Sequence, residues 1–384
     1  MGQQKTVWDN PAELIRQLQP ENPVLAFAPT VLQEKARRFI AGFPGLVTYA
    51  VKSNPDEAVI QNLVTAGLTG FDVASPHEID LVGRMAPRAA RHYHNPVRST
   101  AEIAQAVDAG ITSWSVDSQS ELDKLFAQVP VSIGDRRVEI SPRFKLPVMG
   151  AVYDFGSKFG ATPELAAELL AKVAARGYVP SLTFHPGTQC VDPIAWESYI
   201  SVAREICDAA GVRARRLNVG GGFPSHRVSG VEPDLTSIFT EIADTVNEVF
   251  ADEAPALVCE PGRALCADAF SLIARVKGVR DGGDVFLNDG VYGGLAELPI
   301  VGNLDRIDVL TPQGIARSGE LTGRVVFGPT CDSVDRLPGE LSLPSDIAEG
   351  DYVVFHGAGA YSTVTNTRFN GFGLLTNATV MAFD

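Results

Sequence analysis

The sequence is poor in cysteine, and the cysteines it has lie far apart. The 384 residues include five cysteines, and no two of them form a CxxC pair. A disulfide framework uses an even set of cysteines, and a zinc site uses closely spaced ones. We therefore predict neither a disulfide framework nor a metal site. Unpaired cysteines are typical of the reducing cytoplasm, where we expect the protein to act.

Positive charge and long apolar runs are also scarce. The 32 Lys and Arg residues are outnumbered by 46 Asp and Glu residues, so the net charge is −14. This balance argues against a nucleic-acid partner or an anionic membrane surface, and it weakly favours a cationic substrate. Residues Met1–Leu14 lack the apolar stretch of a signal peptide, and no later run is long enough to span a membrane. We expect no membrane partner.

Short apolar segments alternate with segments of helical spacing between residues 30 and 263. Eight strands are predicted in this region: Leu46–Val51, Gly70–Val73, Arg91–His94, Ser113–Val116, Arg137–Ser141, Ser181–Phe184, Arg216–Val219 and Ala256–Cys259. Alternation of strands and helices implies a parallel sheet. Eight such units in this length favour an α/β fold, a TIM (β/α)8 barrel over residues 30–263, rather than a doubly wound sheet.

Residues 264–384 have a different pattern, with strands joined by turns rich in Gly, Pro and Asp. The predicted strands are Leu272–Val279, Asp284–Asn288, Gly323–Phe327, Tyr352–Phe355 and Ala378–Phe383. We predict a C-terminal all-β domain, sandwich-like or barrel-like, over residues 264–384. Residues 1–29 are expected to join it, since a helix over Asn10–Gln19 and a strand over Val24–Ala28 precede the barrel.

The first barrel strand ends on a lysine. The stretch Val47–Asn54 reads V-T-Y-A-V-K-S-N, as in a strand buried on both faces that delivers Lys52 at its end. Desolvation lowers the pKa of a lysine and frees its amine as a nucleophile, so Lys52 is a candidate to bind pyridoxal phosphate covalently. The alternative is a lysine that extends to solvent from a strand end.

Other polar residues also stand at predicted strand ends, where TIM barrels carry their active sites. Phosphate sites in barrels usually follow strands seven and eight, and here these positions hold Gly220–Pro224 and Glu260–Arg263. Glycines let backbone N–H groups approach a phosphate, although three glycines also make an ordinary tight turn. A carboxylate such as Glu260 can pair with a pyridine nitrogen, and His185 can stack on the ring or serve as a structural polar residue.

Nine short segments, some of them in these regions, together form a recognisable pattern. They are Y-A-V-K-S-N (Tyr49–Asn54), F-D-V-A-S-P-H-E (Phe71–Glu78), K-F-G (Lys158–Gly160), H-P-G-T-Q (His185–Gln189), G-G-G-F-P (Gly220–Pro224), E-P-G-R (Glu260–Arg263), G-P-T-C-D-S-V-D (Gly328–Asp335), G-A-Y-S (Gly359–Ser362) and F-N-G-F (Phe369–Phe372). In these segments and their order the sequence resembles the fold type III pyridoxal phosphate decarboxylases, the ornithine and diaminopimelate decarboxylase family.

The resemblance implies a role for each matching residue. The implied catalytic residues are Lys52 (covalent attachment of the cofactor), Cys331 (proton donor), Glu260 (pyridinium partner) and His185 (ring stacking). The residues implied to support pyridoxal 5'-phosphate further are Asp72, Glu78, Thr188, Gly221, Gly222, Arg263 and Tyr361. The implied substrate contacts are Asp332, Glu297 and Tyr292. Because Cys331 would come from a partner subunit, the resemblance also implies a head-to-tail homodimer with shared active sites.

The substrate implied is a basic L-amino acid, and we predict L-ornithine, which gives putrescine for polyamine biosynthesis. Cys331 is followed by Asp332, where diaminopimelate decarboxylases usually have glutamate, which favours a plain distal ammonium. Glu297 could contact that ammonium or be a surface carboxylate. The same chemistry on lysine, arginine or a carboxylated polyamine or siderophore precursor remains open. So does an alanine-racemase-like enzyme, against which the C-D-S-V-D motif argues, and a catalytically inactive, decarboxylase-like regulatory protein.

Overall fold

A computed structural model describes residues 6–146, 158–230 and 232–383, which form two compact units. One unit consists of residues 36–224 and 233–262, and the other of the residues up to 35, residues 225–232 and the residues from 263 onward. The predicted domain bounds, 30–263 and 264–384 with 1–29, differ from this division by a few residues at each junction. Residues 225–232 also group with the second unit, where Arg227 donates to the Gly302 carbonyl and Ser229 N donates to Asp305.

The first unit, called the barrel unit below, is a closed parallel β-barrel. Its strands, first to eighth, are Gly45–Ala50, Gly70–Val73, Ala90–Tyr93, Ser113–Val116, Glu139–Pro142, Val179–Thr183 interrupted at Ser181, Arg216–Asn218 and Ala256–Cys259. The eighth strand pairs with the first, with Leu257 opposite Gly45. The sixth pairs with the fifth through Val179 and with the seventh through Leu182, which closes the ring. The predicted TIM barrel is confirmed.

Helices alternate with these strands. They are Pro29–Gly42, Glu57–Thr65, Pro76–Met85, Thr100–Asp108, Gln119–Gln128, Pro163–Ala175, Ile194–Ala210 and Leu235–Phe250. Most begin at a residue whose side-chain oxygen accepts a backbone N–H of the first turn, as Ser75, Ser99 and Ser118 do. Such a cap typically stabilises a helix by about 1 kcal/mol. A short hairpin, Ser132–Ile133 with Arg136–Arg137, and a 3-10 turn, Ala251–Glu253, complete this unit with the turn Val51–Ser53.

The barrel interior is partly polar. Large side chains such as Tyr49, Phe71, Tyr93 and Trp114 are fully buried. The strands also bury a set of polar side chains, namely Thr48, Asp72, His92, Ser113, Ser115, Glu139, Ser141, Ser181, Thr183 and Asn218. Buried polar groups are costly unless they are hydrogen-bonded, so these residues require partners inside the barrel.

The second unit, called the β unit below, is built on one mainly antiparallel sheet. Its strands are Val7–Trp8, Val24–Phe27, Phe270–Val279, Val285–Leu287, Ile307–Leu310, Val326–Phe327, Tyr352–His356 and Thr376–Val380, and a separate pair is Leu321–Arg324 with Leu341–Pro344. The long strand Phe270–Val279 pairs with Val24–Phe27, so the N-terminal strand belongs to this sheet. The helices are Pro11–Leu18, Arg263–Cys266 and Leu298–Val301, with 3-10 turns at Ala267–Ala269 and Phe369–Gly371.

The β unit departs from prediction where strands are short. The predicted strand Gly323–Phe327 is two strands separated at Val325, because the two halves pair with different partners. Ile307–Leu310 and Leu341–Pro344 were not predicted. In the described parts of the chain, no helix combines the length and the apolar character needed to cross a membrane.

Candidate functional site

Lys52 lies in a 3-10 turn, Val51–Ser53, that follows the first barrel strand directly. Two hydroxyls fix this turn: Ser53 Oγ donates to the Ala50 carbonyl at 2.8 Å, and Tyr49 Oη donates to the Asn54 carbonyl at 3.0 Å. The Lys52 side chain is exposed. The expectation that burial would desolvate its amine is therefore not met, although the position at a strand end is as predicted.

Two carboxyl groups lie within electrostatic reach of Lys52. Asp72, near the end of the second strand, is buried, and burial together with the charge of Glu260 raises its pKa to about 7 against the opposing effect of Lys52. Its Oδ1 atom has no hydrogen-bond partner within the described residues. Burial also raises the pKa of Glu78, whose Oε2 accepts the Ala74 N–H at 2.7 Å. The structure thus brings Lys52, Asp72 and Glu78 together.

Glu260 follows the eighth strand and is held by two neighbours. Its Oε1 lies 2.5 Å from His94 Nδ1 and also accepts a hydrogen bond from Asn218 Nδ2. Burial would raise the pKa of Glu260, but the charge and hydrogen bond of His94 and the hydrogen bond of Asn218 lower it to about 2. Glu260 is therefore a carboxylate throughout the physiological range. Its main chain is fixed as well, because its N–H donates to the Gly220 carbonyl at 2.8 Å.

The same region contains a compact set of three polar groups. One atom from each of Asp72, His94 and Glu260 lies within 4.8 Å of the other two. Two ligands bound to one ion at about 2.0–2.2 Å in tetrahedral geometry are separated by roughly 3 Å or more. The 2.5 Å contact between His94 and Glu260 is shorter than that, so it is a direct hydrogen bond. We interpret the three residues as polar groups that would contact an organic ligand and not as ligands of a metal ion.

His185 follows the sixth strand and lies next to the glycine run. Its Nδ1 accepts the Gly187 N–H at 3.2 Å, and desolvation, with the charges of Arg143 and Lys52, lowers its pKa to about 3. The ring is therefore neutral, which suits stacking on a flat ligand. A Cβ at Gly221 would lie 3.0 Å from His185 Nε2, so this glycine is required for the close approach of the two loops.

The glycine run forms a cradle that a side chain would fill. Gly222 has a φ of +85°, and a Cβ there would lie 2.8 Å from the Gly187 carbonyl oxygen. The Cys190 N–H donates to the Gly222 carbonyl at 2.9 Å, which ties the loop of Thr188 to the run. Backbone N–H groups at such a turn can hold phosphate oxygens. Together with the unpaired Asp72 Oδ1 and the neutral His185 ring, the cradle fits a phosphorylated pyridine.

Arg263 begins the helix Arg263–Cys266 in the β unit. Its guanidinium makes a bidentate ion pair with Glu297, with Nη2 and Oε2 2.7 Å apart, and it lies 5.1 Å from the centre of the Tyr361 ring. Arg227 Nη1 is 3.6 Å from the same carboxylate. Glu297 was predicted to contact a substrate ammonium or to lie on the surface. At 15% exposure the side chain is not a surface carboxylate, and two arginines hold it. The predicted contact with a substrate ammonium remains a prediction.

Cys331, Asp332 and Tyr292 come together in the β unit. Tyr292 Oη donates to Asp332 Oδ2 at 2.7 Å, and the exposed Cys331 follows a loop whose N–H groups are fixed by buried Asp335. Asp335 accepts from Val291 N at 3.0 Å and from Thr330 N at 2.9 Å, so one carboxylate joins the two loops. The predicted roles of these residues remain predictions.

Sequence reasoning missed several residues of this region. Asn218, Arg143, Arg227 and Asp335 were assigned no role, and His94 was noted only as a strand end. A usable signal existed for two of them, since His94 and Asn218 stand at or beside the ends of the third and seventh strands. No spacing in the sequence indicates that Arg227 pairs with Glu297.

Comparison with known proteins adds to this geometry. Residues 30–267 match a family model described as the pyridoxal-dependent decarboxylase, pyridoxal binding domain. The chain is 31% identical over 337 residues to a lysine/ornithine decarboxylase of Selenomonas ruminantium, covering 85% of this chain and 81% of that protein. It is 31% identical over 352 residues to an ornithine decarboxylase of Caenorhabditis elegans, covering 84% and 79%.

Solved structures are similar over nearly the whole chain. The arginine decarboxylase of Paramecium bursaria Chlorella virus, bound to agmatine, superposes with a TM-score of 0.83 at 26% identity, covering 94% of this chain and 98% of that one. The lysine decarboxylase of Selenomonas ruminantium, in complex with pyridoxal phosphate and cadaverine, has a TM-score of 0.81 at 26% identity, with coverage of 96% and 92%.

Proposed function

The chain belongs to the family of pyridoxal-dependent decarboxylases, and we propose that within this family it converts L-ornithine to putrescine. The protein is an amino-acid decarboxylase with pyridoxal 5'-phosphate as its cofactor, and its substrate is a basic amino acid. The finer assignment to ornithine is supported by two relatives whose names include ornithine. Assignment to an active enzyme argues against the catalytically inactive regulator considered from the sequence.

The observation that carries the proposed site is the fixed carboxylate of Glu260. This anion is held by His94 and Asn218 at the same end of the barrel as Lys52 and the glycine cradle. A pyridine ring accepts electrons best when its nitrogen is protonated, and a nearby carboxylate keeps it so. The chemistry that the bound cofactor would supply is an acceptor for the electron pair released when the bond between Cα and the substrate carboxylate breaks.

In this proposal several residues of the barrel unit bind different parts of the cofactor. Lys52 would bind it covalently, Glu260 would pair with the ring nitrogen, and His185 would stack on the ring. Asp72 would support the lysine and the cofactor. Within the barrel unit, the phosphate would be held by Gly221, Gly222 and Thr188. The phosphate contacts that the family resemblance implies for Arg263 and Tyr361, in the β unit, remain predictions. Glu78 would support Lys52, since the positive charge of Lys52 acts on the pKa of the Glu78 carboxyl.

The residues of the β unit would act on the substrate. Cys331 would transfer a proton to Cα after CO₂ has left, and a positioned acid typically accelerates such a step about 10²–10⁴-fold. Asp332, with Tyr292 beside it, would bind the distal ammonium, and a neutral analogue would be rejected because the carboxylate would then be left unpaired. Because the family resemblance supplies Cys331 from a partner subunit, we propose a head-to-tail homodimer acting in the cytoplasm.

Product identification tests this function. Purified protein with pyridoxal phosphate is incubated separately with ornithine, lysine, arginine and diaminopimelate, and CO₂ and the amine are followed by mass spectrometry. We expect putrescine to dominate. Dominant cadaverine or agmatine would keep the decarboxylase and refute the ornithine assignment, and the arginine decarboxylase of similar fold makes agmatine the sharpest competing result.

A further inference from the structure

His94 is bound at both of its ring nitrogens inside the barrel. Nδ1 lies 2.5 Å from Glu260 Oε1, and Nε2 lies 3.1 Å from Ser113 Oγ. The ring is buried, as is Ser113. The motifs of the sequence give this histidine no role, and the proposed function uses it only as a hydrogen-bond partner of Glu260.

The partners of His94 decide which of its nitrogens carry protons. The Ser113 hydroxyl has one proton, which it donates to Glu139 Oε2 at 3.1 Å, so it must accept from His94 Nε2. On the other side, Asn218 Nδ2 lies 2.9 Å from His94 Nδ1, and the same amide donates to Glu260 Oε1, while its oxygen accepts the Gly220 N–H. An ionised Glu260 can only accept, so we assign a proton to His94 Nδ1 as well, with the histidine and the amide both donating to one carboxylate oxygen. A histidine that donates from both nitrogens is an imidazolium cation.

The charges around His94 agree with this assignment. Three carboxyl groups face it: Asp72 from the second strand, Glu139 from the fifth and Glu260 from the eighth. Burial lowers the pKa of His94, but these carboxyl groups, Glu260 foremost, raise it above its ordinary value. Positive charges also face these carboxyl groups: Arg216 pairs with Glu139 at 3.2 Å, Arg143 interacts with Glu260 and Asp72, and Lys52 interacts with Asp72. Ser181 donates to the remaining Glu139 oxygen at 2.5 Å.

Neighbouring His92 provides a contrast within the same strand. Its ring centre is 5.3 Å from that of His94, and its Nδ1 has no hydrogen-bond partner within the described residues. Burial and the positive charges of His94 and Arg216 lower its pKa to about 3, so it is neutral. Of the two histidines, the one that contacts Glu260 is therefore the one to which we assign a positive charge.

We propose that His94 is a permanently charged positioning residue, which holds Glu260 ionised and oriented toward the ring nitrogen of the cofactor and is itself anchored through Ser113 to Glu139. This inference rests on the cofactor site proposed above. It predicts that the affinity for the pyridine ring depends on the positive charge of residue 94. A neutral hydrogen-bond donor at that position would not be sufficient.

The first test uses the protein without cofactor. The ring nitrogens of His94 are observed by two-dimensional ¹⁵N–¹H NMR and assigned by their loss in His94→Asn. We expect both nitrogens to be protonated from pH 6 to pH 8, where an ordinary histidine with a pKa near 6.5 becomes neutral. A neutral His94 at pH 7, with Nδ1 accepting from Asn218 and Glu260 protonated, would overturn the proposal whatever the cofactor does.

The second test measures binding of pyridoxine 5'-phosphate, which has the ring and the phosphate but no aldehyde to react with Lys52. His94→Asn places a neutral amide donor where Nδ1 stands, and His94→Ala removes the donor. A charge-assisted hydrogen bond is lost in both, so we expect about 10–100-fold weaker binding in each. His92→Asn is the matched control and should bind as the parent does.

Each outcome of this test has one meaning. Binding by His94→Asn equal to that of the parent would refute the role of the charge. If His92→Asn weakened binding of pyridoxine 5'-phosphate as much as His94→Asn, the loss would be explained by disturbed packing in the barrel. That result would refute the specific role of His94. If the parent protein bound neither pyridoxine 5'-phosphate nor pyridoxal phosphate, the proposed site would fail, while the NMR result would still report the charge of His94. Circular dichroism confirms that each variant is folded.

Discussion

The ion pair between Arg263 and Glu297 makes a quantitative prediction about stability. Both side chains are largely buried, at 9% and 15% exposure, and Arg227 adds a second positive charge on the same carboxylate. Glu297→Gln keeps the shape and an acceptor but removes the negative charge. Two buried arginines then lose the carboxylate that both contact, although the charge of Asp305 still acts on Arg227. We expect about 3 kcal/mol of lost stability, the lower end for breaking a buried pair.

The assay is urea unfolding followed by far-UV circular dichroism. The matched control is Glu21→Gln, which breaks an ion pair with Arg275 in the same unit, but at a glutamate that is 80% exposed. A surface pair is worth no more than about 1 kcal/mol, so this variant should remain close to the parent. Equal losses of stability in the two variants would refute the argument that the ion pair of Arg263 contributes more to stability because it is buried.

An anion supplies the second arm of the same experiment. If the two arginines lack a counter-ion in Glu297→Gln, added inorganic phosphate should restore part of the loss, by about 2.7 kcal/mol at one hundred times its dissociation constant. The parent and Glu21→Gln should gain less, because Glu297 already occupies the guanidinium of Arg263 in both. A phosphate effect that is the same in all three proteins would show that the arginines bind no anion in the absence of Glu297.

Two further predictions follow from residues of the β unit. Cys331→Ala should retain the visible absorbance of bound cofactor but lose about 10²–10⁴-fold in diamine formation measured by mass spectrometry. The neighbouring exposed Ser333→Ala is its control, and full diamine output by Cys331→Ala would exclude the proton-donor role. Asp289 is buried and its pKa is raised to about 7, so the folded protein prefers it protonated. Its contribution should destabilise the fold increasingly from about pH 4 to pH 7, by up to about 4 kcal/mol. Asp289→Asn should remove that decline in urea unfolding measured across this range, and an unchanged pH profile would contradict the assignment.

The barrel could be predicted because its signals are local. A strand such as Gly70–Val73 reads as a short apolar run, and a helix such as Pro76–Met85 begins at a serine whose side chain caps it, with proline in the first turn. These features depend on residues that are adjacent in the chain. The positions of Lys52, Asp72, His185 and Glu260 at one end of the barrel then follow from the rule that parallel strands end on the same side.

What could not be predicted depends on pairs that are distant in sequence. The counter-ions of Glu297 are Arg263 and Arg227, and no local pattern distinguishes that outcome from an ammonium contact or a surface carboxylate. Desolvation of Lys52 was inferred from a buried strand, but the strand ends at Ala50 and the lysine lies in the following turn, where its side chain is exposed.

The two charged groups assigned to the ends of the cofactor share one property: each already has an internal partner of opposite charge. Glu260 is paired with His94, and Arg263 is paired with Glu297. A buried charge without a partner is costly, so such pairing lets a site keep ionised groups in place before a ligand arrives.

The partners of Glu260 and Arg263 have different effects on ligand binding. His94 carries the charge opposite to that of Glu260 and does not compete with it for a ring nitrogen, so it supports the orientation of the carboxylate. Glu297 occupies both terminal nitrogens of Arg263, so a phosphate that used them would have to replace it. Ring binding should therefore weaken when His94 is changed, whereas binding of a phosphate should strengthen when Glu297 is neutralised.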